Sequence, residues 1–217
     1  MPATPMTEPV ATLPLSPHLS NRIETMTKLP LPRTLPIGLL LAALMTATRS
    51  HHFASALHLP DASWAVLFLA GALLPGWLPL AGLLVLAAAV DYLAITFGGV
   101  SAFCVSPAYV ALLPAYGALY LAGRWYAPRH RPTVRSLLAF TGAALVGTAI
   151  CELLSSGAFY FFSGRFAEPT LAEFGVRLER YFPNALEGMA LYLGAAVIAY
   201  AAFAAVAQHS TSTALRR

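Results

Sequence analysis

Long apolar stretches separated by short polar ones fill this chain from residue 35 onward. Six runs stand out, over residues 35–48, 64–74, 78–97, 108–125, 136–162 and 184–207. A helix of roughly 20 apolar residues crosses a hydrocarbon core of about 30 Å, so the pattern predicts an all-α integral membrane bundle of six helices. The second run is short even with residues 57–63 added, and it stops at Pro75-Gly76-Trp77-Leu78-Pro79. Pro36 falls at a tolerated first-turn position, whereas Pro114 should kink the fourth helix. Between the fifth and sixth runs, residues 163–183 mix Glu168, Glu173, Arg177, Glu179 and Arg180 with Leu171, Phe174 and Leu178. That spacing predicts one amphipathic helix lying across the end of the bundle.

Residues 1–34 hold seven prolines among Thr, Ser and Ala, a composition that predicts a disordered N-terminal segment. Residues 35–207 then form the membrane domain, and 208–217 a short cytoplasmic tail. No continuous apolar core precedes a small-residue cleavage site, so a signal peptide is not expected, and Met26 is an alternative start.

Composition agrees with this pattern: of 217 residues, 58% are hydrophobic and 10% charged, against roughly 25% charged in soluble domains. The net charge of +4 does not point to nucleic acid, because the basic residues cluster between apolar runs, where they act as topology signals. With six spans, nine of the 13 lysines and arginines fall on one side and four on the other. The expectation is a multi-pass protein of the cytoplasmic (inner) membrane with both termini inside. Two cysteines make no disulfide framework.

This topology gathers chemistry on the outer face. Gly98 and Gly99 end the third helix and Pro107 suits the start of the next, which puts Cys104 on a loop. His51, His52 and Arg177 share that face, Tyr109 closes the Cys104 loop, and Asp91 lies about two turns below the end of the third helix. Each has a plainer reading: a solvated loop histidine, a partner for nearby glutamates, an interfacial tyrosine, or a thiol that fills space. Asp91 resists one, because a carboxylate at that depth needs a partner or a polar cavity. Cys104 is a soft donor suited to a polarisable metal, although no Cys-x-x-Cys or His-x-x-x-His spacing builds a complete metal site. Cys151 reads as packing, Glu152 and Glu187 as candidate intramembrane acids, and Ala43 with Ala47 as a flat face that another helix can approach.

Ser50-His51-His52-Phe53, Asp61-Ala62-Ser63-Trp64-Ala65-Val66, Asp91-Tyr92 and Phe103-Cys104-Val105-Ser106-Pro107-Ala108-Tyr109 together resemble the BtuM family, cobalamin-specific S-components of energy-coupling-factor (ECF) type transporters. The resemblance covers roughly residues 33–207. It implies a six-helix, S-component-like membrane protein that takes up cobalamin or its precursor cobinamide from outside, as substrate rather than as a cofactor of its own. Cys104 stands at the family's axial cobalt-ligand position, and His52, Asp91, Tyr109 and Arg177 at pocket positions. Ala43 and Ala47 would then face a coupling transmembrane subunit that works with ATPases, although the family is often described as solitary. A thiolate on cobalt would displace the nucleotide base and weaken a cyanide on the opposite side, so decyanation at Cys104 is the only chemistry implied in an otherwise non-enzymatic transporter. Residue chemistry alone leaves other readings open: a permease for bare cobalt or nickel ions, an intramembrane enzyme with Cys104 as nucleophile, or a purely structural membrane protein.

Overall fold

The computed structural model describes the backbone of residues 31–49 and 59–214, and the side chains of 34–49 and 59–206 apart from Cys104. Among the described residues the chain is all-helical, with six α-helices: α1 Leu31–Arg49, α2 Ser63–Leu73, α3 Leu78–Phe97, α4 Leu112–Tyr126, α5 Val134–Phe162 and α6 Leu171–Ala214. Short 3₁₀ turns at Ala102–Cys104, Pro107–Ala111 and Ala127–Arg129 join them. Helices α3, α5 and the Leu171–Val206 part of α6 are long and apolar enough to cross a membrane, whereas the Thr34–Arg49 part of α1 and the whole of α2 are shorter apolar stretches.

The shortest helix is the most enclosed. Eight of the 11 residues of α2 are buried, as suits an apolar helix too short to span a bilayer alone. It packs on α4 through two glycines. A Cβ on Gly71 would run into the carbonyl of Tyr120, and one on Gly123 into the carbonyl of Phe68. Their absence lets the two backbones touch. Around this contact Phe68, Leu119 and Tyr120 are buried, and Phe68 meets Phe140 of α5 edge to face at 5.2 Å. Tyr120 donates its hydroxyl to the Gly76 carbonyl at 2.5 Å. Gly76 has φ +75°, the left-handed turn that ends the α2–α3 connection.

Two local expectations need correcting. Pro114 does not kink a long fourth helix: the 3₁₀ turn Pro107–Ala111 precedes α4, which places Pro114 in its first turn, where its missing N–H costs no helical bond. The amphipathic segment is not a separate helix across the bundle end. It is the first part of α6, which runs through Pro183 without a break. Phe174 stacks on Tyr160 and meets Phe161 edge-on, so the start of α6 packs along the end of α5. The single Pro183–Asn184 step supplies too little turn chemistry to reverse the chain.

Candidate functional site

One end of the bundle collects the last residues of α1 and α3, the end of α5 and the start of α6. Here Arg49 closes α1, and its side chain is only 8% exposed. It forms a two-pronged bond with Asp91 of α3, Nε to Oδ1 at 2.7 Å and Nη2 to Oδ2 at 2.8 Å. Its Nη1 donates to Ser63 Oγ at 3.0 Å and to the Tyr116 hydroxyl at 2.8 Å. The Tyr109 hydroxyl donates to the same Oδ2 of Asp91 that Arg49 Nη2 reaches, at 2.5 Å. A single guanidinium thereby ties together α1, α2, α3 and α4. The fork-to-fork geometry satisfies both charges, which is what lets an ion pair persist away from water.

Asp61 supports this arrangement from the rim. It lies 3.7 Å from Arg49 and accepts from the backbone N–H and hydroxyl of Ser63, at 2.8 and 2.6 Å. It thus caps α2 from just outside the helix.

Beside the ion pair lies a cavity of about 300 Å³ lined by Arg49, Asp91 and Tyr109 on one wall and by Glu152, Ser155 and Ser156 of α5 on another. Arg177, Leu178 and Tyr181 of α6 complete it, with Phe159 and Phe174. Glu152 is buried and accepts from the Ser156 hydroxyl at 2.5 Å. Arg177 is not the partner of neighbouring glutamates: among the described residues it forms no ion pair. Its guanidinium lies over the rings of Phe166, Tyr160 and Tyr181, at 4.7, 5.4 and 5.5 Å from their centroids. Held over aromatic faces, it keeps N–H donors for a ligand at the cavity wall.

Four residues singled out from sequence therefore line one cavity: Asp91, Tyr109, Arg177 and Glu152. His51 and His52 lie outside the described residues. The Cys104 backbone belongs to the turn Ala102–Cys104, and the Cys104 side chain lies outside the described residues. Gly98 caps α3, Gly99 has φ +68°, and the Ser101 hydroxyl accepts from the Phe103 N–H. Phe103 meets Phe159, a cavity residue, at 5.7 Å, so this turn stands at the cavity rim. The Ser106 hydroxyl is buried and has no hydrogen-bond partner among the described residues. Ala43 and Ala47 are both exposed on α1, beside exposed Leu39 and Leu40. Cys151 is buried, as expected for a packing residue.

Sequence reasoning missed the centre of this site. Arg49 is one of the four basic residues that the charge count sets on the outer side, the side of Asp91, and it directly follows an apolar run. A lone intramembrane acid and a lone cation ending a neighbouring span were the available signal. Among the described residues, no cluster of three His, Cys, Asp or Glu side chains could hold a metal ion. No protein-family model matches the chain, and no curated protein matches it.

Proposed function

We propose that this chain is the substrate-binding membrane component of a cobalamin or cobinamide uptake system, with Cys104 as axial donor to the corrin cobalt. The observation that carries the reading is that Asp91, Tyr109 and Arg177 line the same cavity, with the Cys104 turn at its rim. A corrin brings its own cobalt, so the protein needs one soft donor on a loop rather than a complete metal cage. Its peripheral amides require scattered donors and acceptors. Arg177 supplies donors and Glu152 and Asp91 acceptors, while the Ser155 hydroxyl, whose proton goes to the Cys151 carbonyl, supplies a further acceptor. A whole corrin exceeds about 300 Å³, so part of it lies in the mouth of the cavity beside Phe103 and Phe159; His52, a further pocket residue on this reading, lies outside the described residues. Uptake then delivers the substrate inward by reorientation of the bundle. The exposed Ala43–Ala47 face of α1 is the contact surface for a coupling subunit and its ATPases.

The test is the visible spectrum of the purified chain with cyanocobalamin. A coloured protein whose cobalt bands shift in the wild type and stay unshifted in Cys104→Ala supports axial thiolate ligation. Binding with identical spectra in both removes the ligand role. A colourless protein that takes up cobalt or nickel ions instead replaces corrin uptake with the bare-ion reading. Growth of a cobalamin auxotroph carrying the gene, alone and with a coupling module, separates solitary from coupled transport.

A further inference from the structure

The end of the bundle opposite the polar cavity holds a second feature. An apolar groove runs between α5 and α6, made of two adjoining cavities of about 440 and 490 Å³ that share Leu137, Phe140 and Val197. Small residues hollow it out. Ala144 and Thr148 line it from α5, Ala190 and Gly194 from α6, and a Cβ on Gly194 would meet nothing within 4 Å.

At the end near the start of α5 the groove changes character. Arg131, Thr133 and Ser136 line it there, at the N-terminus of the 29-residue helix α5, together with His130 and Tyr200. His130 bridges the Tyr126 and Tyr200 hydroxyls, at 2.8 and 3.0 Å, and so links the α4–α5 connection to α6. Arg124, Arg129, Arg131 and Arg135 all lie in or beside this connection, and no Asp or Glu occurs between Asp91 and Glu152. Arg129 is occupied over the Trp125 ring and Arg124 by the Leu74 carbonyl. Among the described residues, the Arg131 and Arg135 side chains form no ion pair.

We propose that this groove binds one anionic phospholipid, its acyl chain between α5 and α6 and its phosphate against Arg131 and the start of α5. The dimensions fit: from Leu137 to Thr148 the helix rises about 16 Å, close to one leaflet of a hydrocarbon core about 30 Å thick. Charge complementarity selects the headgroup. The groove is apolar along its length and cationic only at the end, as a chain ending in a phosphate requires. By the charge count this end faces the cytoplasm, where anionic lipids form a negative surface. The site is separate from whatever the polar cavity takes.

Native mass spectrometry of the full chain, equilibrated with phosphatidylglycerol or phosphatidylcholine of identical acyl chains, tests the proposal. The wild type should retain phosphatidylglycerol preferentially, and Arg131→Gln should lower that preference about fivefold. Gly194→Leu, which enters open space and leaves the helix intact by circular dichroism, should reduce retention of both lipids. Equal retention of the two lipids by the wild type overturns the proposal. So does an unchanged preference in Arg131→Gln, or full retention in Gly194→Leu. Displacement of phosphatidylglycerol by inorganic phosphate alone also overturns it, because the acyl chain would then contribute nothing.

Discussion

The two ends of this bundle handle positive charge in opposite ways. At the cavity end Arg49 is enclosed and spends its donors on Asp91, Ser63 and Tyr116, which come from three other helices. At the basic end the arginines follow one another in and beside a single connection, with no Asp or Glu in the sequence between Asp91 and Glu152, and Arg131 lies exposed. A paired cation inside the bundle is part of the fold, and its removal leaves a half-buried carboxylate without its counter-charge. An exposed one is a surface feature, and its removal leaves nothing unsatisfied. Charge alone therefore says little about what an arginine does; the number of elements it binds says much more.

The sharpest way to break this contrast is to remove one half of the ion pair. Asp91→Ala strands the Arg49 guanidinium and should lower stability by about 3–5 kcal/mol, read from chemical unfolding of the full chain in detergent. Replacing both partners with apolar residues, Arg49→Met with Asp91→Leu, should recover most of that loss. A single variant that unfolds at the wild-type midpoint would show that the pair does not hold the cavity end together.

Next in size is the contact on which both ends rest. Gly123→Val pushes side-chain atoms into the Phe68 carbonyl and should cost about 3 kcal/mol or prevent folding. Gly142→Ala serves as the control, because a Cβ there meets nothing within 4 Å. Equal thermal stability of the two variants would contradict the close α2–α4 approach.

Tyr109→Phe should have a smaller effect. It removes one hydrogen bond to a carboxylate that Arg49 still neutralises, a loss of about 1.5 kcal/mol, and on the proposed reading it should weaken cyanocobalamin binding about tenfold with the cobalt bands still shifted. A loss of the spectral shift itself would assign Tyr109 a part in ligating cobalt rather than in shaping the pocket wall.

Much of this architecture was legible from hydropathy. The third run, 78–97, coincides with α3, and 136–162 falls two residues short of the start of α5, because long apolar stretches with Gly or Pro at their ends leave little freedom. Asp91 was legible as well, since its cost in an apolar run demands an explanation. The partner of Asp91 was not: Arg49 lies 42 residues away, and a bidentate pair depends on how two helices meet, which no local pattern encodes. The continuity of α6 was hidden for a related reason. A proline reads as a boundary when seen alone, yet Phe174 packed on Tyr160 and Phe161 fixes the helix before the proline. The aromatic setting of Arg177 was equally hidden, because Tyr160 and Phe166 reach it only once α5 and α6 lie side by side.

The smallest predicted effect is the most discriminating between the two ends. Arg131→Gln should change stability in phosphatidylcholine nanodiscs by no more than about 0.5 kcal/mol, the usual range for an exposed substitution. In phosphatidylglycerol nanodiscs the wild type should melt higher than the variant, because a lipid that binds only the folded chain adds its binding free energy to stability. Asp91→Ala should instead lower the melting point equally in both lipids, since its loss lies inside the protein. If Arg131→Gln destabilises to the same extent in both nanodiscs, Arg131 is a structural residue like Arg49, and the distinction between the paired and the exposed end disappears.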